Sequence, residues 1–422
     1  MVNTLVYKFG GASVKDAPAV KNLVEILRSR MDQPCVIVVS AMGKTTNALE
    51  ELLSKKLAGE NYLPGWQQIK EFHWDICTSL FPADHTVFLS LKEFFEKVSG
   101  ILVPPISKDS YDEHYDQLIS FGELFSSLIV SHFLQFNGLS LTWKDAREVI
   151  HTNSDFRFAK IDWDKTRSSC QSLWSPQLKN TNILTQGFIG MDPNGLTTTL
   201  GREGSDFTAA ILATGLEATS VTIWKDVPGV LNADPKLFSE AVKFEELGYK
   251  EAAEMTYFGA SVIHPKTIKP LANAGIPLFV MSFLQPEATG TKIHEHAKVH
   301  EVPTLVLKKN QVLVSFKVTD FTFIEETHIH QIYTQLKSLK LRANMLQVSA
   351  ISVSLVMDAQ LFKLDQLLAG LKKDFDIRYN EDLELLTILK PKPEAISGLM
   401  QGYEVLLEQS TRHSYQAVRR KG

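Results

Sequence analysis

Three short segments carry residue types that handle phosphates and carboxylates. Lys8-Phe9-Gly10-Gly11-Ala12-Ser13 joins a mobile cation to paired glycines. Such glycines let backbone approach a phosphate closely, and N–H groups at a following helix start favour anions. Gly201-Arg202-Glu203-Gly204-Ser205-Asp206 offers a guanidinium fork for a carboxylate and an acid placed to meet an ammonium. Trp224-Lys225-Asp226-Val227-Pro228-Gly229-Val230, then Asp234-Pro235-Lys236, ends a strand in a charged pair and a Pro-Gly turn, which suits a nucleotide rim. Taken singly, the first segment reads more readily as a plain turn, the second equally as a loop with a helix cap, and the third equally as a surface turn. Gly43-Lys44-Thr45 has the ending of a P-loop, but Val38 stands where its first glycine belongs. His294, His296 and His300, and the pair His328 and His330, have no Cys or carboxylate set to complete a metal site, so none is expected.

The elements that must position these residues follow from the apolar pattern. Leu5–Phe9 favours a strand, and Gly10-Gly11 breaks it. Asp16 is placed to cap a helix through Val20, Leu23, Val24 and Leu27, which fall on one face. The run 36–39 is continuously apolar, as in a strand buried on both faces. A strand, a helix and a strand within about 40 residues make a βαβ unit, so the sheet should be mostly parallel and sandwiched by helices. Further on, one helix is expected over 112–136 and a strand over 183–189. A hairpin turn is expected at Asn194-Gly195, a helix capped by Asp206, and strands over 220–224 and 277–281. A polar link near 290–303 then leads to a βαββαβ order of ferredoxin-like type, with a last helix-like piece and two strands beyond it. The domains are expected at 1–292 and 303–422.

Composition narrows the class. The 422 residues suffice for two to three domains. The net charge of −4 does not suit a protein built to coat nucleic acid. Three scattered cysteines make neither a disulfide scaffold nor a zinc knuckle. No apolar run is long enough for a bilayer, and the start lacks a basic n-region. A cytoplasmic location is expected.

In this order and spacing, the segments resemble the aspartate kinases of the amino-acid kinase family. Lys8-Phe9-Gly10-Gly11-Ala12-Ser13-Val14 is similar to that family's KFGGTSV signature, with Ala12 for Thr. Ser40-Ala41, Ser120-Phe121-Gly122-Glu123-Leu124 and Thr185-Gln186-Gly187-Phe188-Ile189-Gly190 match further. So do Leu200 to Asp206, Asp226 to Val230, and Glu254-Met255 with Phe258-Gly259-Ala260 and His264-Pro265. The resemblance covers about residues 1–292. It implies an amino-acid kinase fold and ATP-dependent phosphorylation of the aspartate side-chain carboxylate. By this resemblance Lys8, Phe9, Gly10, Gly11 and Ser13 hold phosphate, with Lys225, Asp226, Leu231, Lys236 and Ser261 also at the nucleotide. Ser40, Ala41 and Thr46 orient the reacting carboxylate. Arg202 clamps the α-carboxylate, Glu123 and Asp206 meet the ammonium, and Phe188, Glu203, Gly204 and Ser205 line the amino-acid site. Lys8, Arg202 and Asp206 are the catalytic set. Mg²⁺ accompanies ATP rather than filling a protein cage.

Two departures stand out. Many family members have Thr where Lys225 stands and Lys where Ser261 stands, so the cation is expected to have moved to Lys225. Glu203 replaces a frequent Gly. The C-terminal part resembles an ACT domain but is short for the usual two units. It is expected to serve homodimerisation or structure rather than lysine or threonine feedback, with Asn344 placed where an effector contact is plausible. Two other readings stand beside the main one. One is a different amino-acid kinase, for glutamate or carbamate. The other is an inactive ACT-bearing sensor.

Overall fold

The computed structural model describes residues 3–260, 263–298, 300–319 and 322–422. The chain divides into two compact units. The first holds Met1–Val230, Lys243–Ala253 and Val262–Val299; the second holds Leu231–Val242, Glu254–Ser261 and His300–Gly422.

The first unit is built on an eight-stranded sheet. Its order is Leu141–Trp143, Asn182–Gln186, Cys35–Val39, Leu5–Phe9, Ser220–Lys225, Leu278–Ser282, Thr291–His294 and Glu246–Gly248. All neighbours run parallel except Leu278–Ser282 against Thr291–His294. Every residue of Cys35–Val39 is 0% exposed, which requires cover on both faces of that strand. The helix Gly204–Gly215 packs on Leu5–Phe9 and Ser220–Lys225, and Phe121–Phe136 packs on Cys35–Val39 and Asn182–Gln186. Asp16 caps Ala17–Arg28 as expected, accepting from the Ala19 N–H at 2.8 Å.

Four local expectations need correction. The helix over 112–136 is two helices, Tyr111–Ile119 and Phe121–Phe136. Ser120 separates them, and its hydroxyl donates to the Gln117 carbonyl at 2.9 Å, a local bond that competes with the helical ladder. Against the expectation that no apolar run could span a bilayer, the stretch Tyr111–Phe136 is long and apolar enough by length and composition, but 89% of its most apolar 18 residues are buried inside the fold. The strand over 183–189 ends at Gln186, because Phe188 adopts φ 71 and turns the chain into the hairpin Ile189–Met191 with Thr197–Thr199. Asp206 does not cap its helix. The helix starts at Gly204, and Asp206 lies inside its first turn. The link near 290–303 contains a strand, Thr291–His294, within which His294 lies 3.6 Å from Glu246.

The second unit carries a six-stranded antiparallel sheet in the order Ala343–Val348, Ser352–Asp358, Thr304–Val318, Phe375–Leu389, Ser414–Lys421 and Tyr403–Ser410. Its two central strands are 15 residues long and change register together near Gln311, where Asn310 and Asp382 have φ 53 and 56. That bulge divides the sheet between two cores. On one side Phe316, Leu355, Ile332, Leu367 and Phe375 complete the expected βαββαβ unit. On the other, Leu386, Ile388, Tyr415 and Ala417 pack with Phe238 and the helix Pro393–Met400. There Thr304–Lys308 pairs with Leu385–Leu389. The extra strands therefore form a second, partial ferredoxin-like half, closed by a strand that precedes the first half in sequence. Asn344 is occupied within this sheet. Its Oδ1 accepts from Lys308 at 2.8 Å, and its Nδ2 donates to Gln311 at 2.8 Å and Asp358 at 3.0 Å.

Candidate active site

The sheet of the first unit carries its chemistry at the carboxyl ends of parallel strands, where open α/β sheets place ligands. Lys8 stands near the end of Leu5–Phe9 and Lys225 ends the neighbouring Ser220–Lys225. Two helices begin nearby, Phe121–Phe136 with Glu123 in its first turn and Gly204–Gly215 with Asp206 in its first turn. Their free N–H groups and dipoles favour negative charge there. Together these residues line a cavity of about 670 Å³.

Its charges are arranged around one carboxylate. Asp206 Oδ1 lies 2.5 Å from Lys8 Nζ, and its Oδ2 lies 3.3 Å from Lys225 Nζ. Asp206 is 2% exposed and Lys8 is 7% exposed. Burial works against the Asp206 charge, but the two ammonium groups outweigh it and hold the carboxyl below its ordinary range. Glu123 behaves oppositely. Burial pushes it up to about 8, against the pull of the Ala41 N–H and Lys8. Ser120 and Glu123 have the spacing of a capping box, yet Ser120 makes no cap bond. Glu123 Oε1 instead accepts from the Ala41 N–H at 3.3 Å, so the acid faces the loop after Cys35–Val39.

Small residues make the close approaches. A Cβ at Gly11 would meet the Ala41 carbonyl at 2.9 Å, and one at Gly204 would meet the Phe188 ring at 2.5 Å. Thr208 ties the 187–188 turn to the helix: its Oγ1 accepts from the Phe188 N–H at 2.8 Å and donates to the Gly204 carbonyl at 3.0 Å. Glu203 takes φ 54, which explains why glycine suits that position and costs the side chain about 1–2 kcal/mol. Gly187→Ala is the sharpest test of this packing. Its Cβ would stand 2.4 Å from Ser205 Cβ and 2.7 Å from Ser205 Cα. The variant should lose about 1–3 kcal/mol by overpacking and show a lower thermal unfolding midpoint. Gly65→Ala, with nothing within 4 Å, should not.

Of the residues singled out in the sequence, Lys8, Gly11, Ser40, Ala41, Thr46 and Glu123 line the cavity. Phe188, Arg202, Glu203, Gly204, Ser205, Asp206 and Lys225 do as well. Others sit elsewhere. Phe9 is in the core, stacked on Trp224 at 5.8 Å, so its ring is withheld from any ligand. Ser13 donates its hydroxyl to the Gly10 carbonyl at 2.7 Å, and Gly10 leaves room for Lys8 Nζ, 3.3 Å from where a Cβ would be. Asp226 is exposed just beyond Lys225. Leu231 and Lys236 fall in the segment Leu231–Val242, which groups with the second unit, and Ser261 lies outside the described residues.

The sequence reading missed one wall. Arg157, with φ 69, lies 4.3 Å from the Tyr115 ring centroid and 3.2 Å from Asp112, and lines the cavity with Tyr115 and Glu50. Asp116 holds it there. Its buried carboxylate accepts from the N–H groups of Arg157 (2.9 Å) and Thr199 (2.8 Å) and from the Thr199 hydroxyl (2.6 Å). An Arg followed by aromatic Phe158 in a polar loop was the only available signal, and it is a weak one.

A mostly parallel sheet with paired cations and helix N-termini at the carboxyl ends of its central strands suits phosphate binding. The chain belongs to the amino acid kinase family, whose profile matches residues 3–282. Within that family it groups with the aspartokinases. It is 32% identical over 362 residues to lysine-sensitive aspartokinase 3 of Escherichia coli K12, covering 85% of this chain and 79% of that one. It is 33% identical over 296 residues to the chloroplastic bifunctional aspartokinase/homoserine dehydrogenase 2 of Arabidopsis thaliana, covering 68% of this chain and 32% of that longer protein. The crystal structure of E. coli aspartokinase III in complex with aspartate and ADP superposes with a TM-score of 0.82 at 27% identity, over 98% of this chain and 96% of that one.

Proposed function

We propose that the cavity transfers the γ-phosphate of ATP to the side-chain carboxylate of L-aspartate, giving 4-phospho-L-aspartate, the first step towards lysine, threonine and methionine. The observation that carries this reading is the meeting of Lys8, Lys225, Glu123, Arg202 and Asp206 around one cavity at two helix N-termini. The likeness to aspartokinases in both sequence and structure supports the choice of amino acid.

The chemistry asks for positioning and charge rather than a base. A carboxylate oxygen of aspartate attacks the γ-phosphorus, the bond to the β-phosphate bridging oxygen breaks, and ADP leaves with that electron pair. No proton need move. Two anions must be brought together, so cations and N–H groups carry the catalysis. Lys8, Lys225 and the N–H groups of Gly10 and Gly11 hold the transferring group. Ser40 and Thr46 orient the attacking carboxylate, Arg202 clamps the α-carboxylate, and Glu123 and Asp206 receive the ammonium. Asp226, Leu231, Lys236 and Ser261 are assigned to the nucleotide by sequence resemblance alone.

Mg²⁺ fits as a partner of the nucleotide. Among the described residues no group of three or more His, Cys, Asp or Glu can hold a metal ion. Glu203 Oε2, buried without a hydrogen-bond partner, can supply a single contact. When bound, the ion neutralises phosphate charge. The three cysteines are free and buried, which suits the reducing cytoplasm where we place the protein. We assign the second unit to homodimerisation, since its sheet has edge strands open to pairing.

Trapping with hydroxylamine tests the activity. With ATP, Mg²⁺ and L-aspartate the chain should form the hydroxamate, and with L-glutamate it should form little. No hydroxamate from either amino acid would leave a sensor with an inactive kinase fold.

A further inference from the structure

We propose that a groove outside the active cavity, walled by the helices Trp163–Ser169, Gly204–Gly215 and Pro265–Ala274, is a second ligand site that takes a planar aromatic group carrying a phosphate. The inference stands apart from the assignment of the cavity to ATP and L-aspartate.

The groove has a volume of about 460 Å³. Small-molecule sites run from about 300 to 1,000 Å³. Each helix gives it one face. Lys266, Lys269, Pro270 and Asn273 recur at three- and four-residue steps, and Trp163 and Arg167 are one turn apart. Phe207 follows Asp206 directly, so one helix serves the cavity with one side chain and the groove with the next.

The charge on this lining has one sign. Arg167, Lys266 and Lys269 are exposed, and no Asp or Glu lines the groove among the described residues. Asp162, at the start of the first helix, is spent on its cap, where it accepts from the Lys165 N–H at 3.0 Å. Cations gathered without a counter-ion repel one another, and a phosphate dianion relieves that repulsion while accepting charge-assisted hydrogen bonds.

The rings supply the second half of the ligand. Trp163 is the one exposed tryptophan of six, at 38%. Indoles are ordinarily well withdrawn from water. Its ring centroid stands 6.3 Å from that of Phe207 with the planes at 71°, so the two rings form a corner. A flat ring seated in that corner meets a face and an edge, the contacts aromatic groups prefer. Charge and ring surface side by side favour a ligand that has both over inorganic phosphate or a neutral arene. The limited volume and the net charge of −4 point to a small molecule rather than a nucleic-acid strand.

Calorimetric titration of the full chain with 1-naphthyl phosphate tests this, with inorganic phosphate and 1-naphthol as its separate halves. The conjugate should bind at least about tenfold more tightly than either half. Lys266→Ser with Lys269→Ser, and separately Trp163→Ser, replace exposed side chains and should keep the parent unfolding midpoint. Each should weaken 1-naphthyl phosphate by about tenfold or more, whereas Lys8→Met, in the active cavity, should leave its affinity unchanged. AMP is titrated alongside. An AMP signal lost in the double lysine variant names a nucleotide as the source of this chemistry, and one that persists there names a simple aryl phosphate. The site is overturned by a conjugate that binds no more tightly than its halves, by full affinity in the double lysine variant, or by affinity lost in Lys8→Met. Absence of any heat with 1-naphthyl phosphate up to about 5 mM overturns it as well.

Discussion

Lys8→Met should lower kcat by about 10²–10³ while changing the Michaelis constants far less, which places the loss in the transition state. Lys8 is almost wholly buried and directed at the cavity, where a cation is screened little by water. Methionine keeps the unbranched bulk and removes the charge. The replacement does not expose Asp206 to an empty site, because Lys225 remains 3.3 Å from its Oδ2. A folded variant, checked by circular dichroism, is therefore expected. Arginine should not rescue it, because a planar guanidinium on a longer side chain does not reproduce the compact charge that Lys8 Nζ places 2.5 Å from Asp206 Oδ1. A fall in kcat of less than about tenfold would show that Lys225 carries the phosphoryl charge by itself.

The second large effect is one of pH. Glu123 is raised to about 8 by burial, so in the free cavity it holds a proton at neutral pH. The ammonium of L-aspartate prefers the carboxylate form, so binding below pH 8 must expel that proton. As pH rises towards 8, the ionised fraction grows about tenfold per unit. The dissociation constant for L-aspartate should thus fall roughly fifty-fold between pH 6 and 8 and then level. Calorimetry in buffers of different ionisation enthalpy should register the released proton. Glu123→Gln should flatten the profile and abolish the release. Stability runs the other way. A carboxyl raised by folding contributes stability that is full below its unfolded value and lost as pH rises through about 8. The ligand-free protein should therefore unfold more easily at pH 9 than at pH 6, and Glu123→Gln should remove that part of the slope. A pH-independent affinity in the parent would mean that Glu123 is ionised in the free cavity.

Both effects depend on residues that local reading can find but cannot connect. Lys8 and Lys225 are 217 positions apart, yet adjacent parallel strands bring both to one carboxylate. The second unit shows the same limit. Its βαββαβ order is plain from the apolar pattern. That Thr304–Lys308 completes a different half from the rest of its own strand depends on a bulge at Asn310 and on pairing with Leu385–Leu389, far along the chain.

The glycine-bearing turns, the strands they end and the identity of the charged residues on them were set by local sequence, because turn chemistry and apolar period act over a few neighbours. The turn at Phe188 and the Arg157 wall held by Asp116 were decided only by tertiary structure. So was the opposite fate of two acids, each in the first turn of its helix: Asp206 is kept charged by two lysines, and Glu123 is left protonated by burial. A carboxylate's charge state is fixed by what surrounds it in space, and that arrangement exists only once distant strands have come side by side.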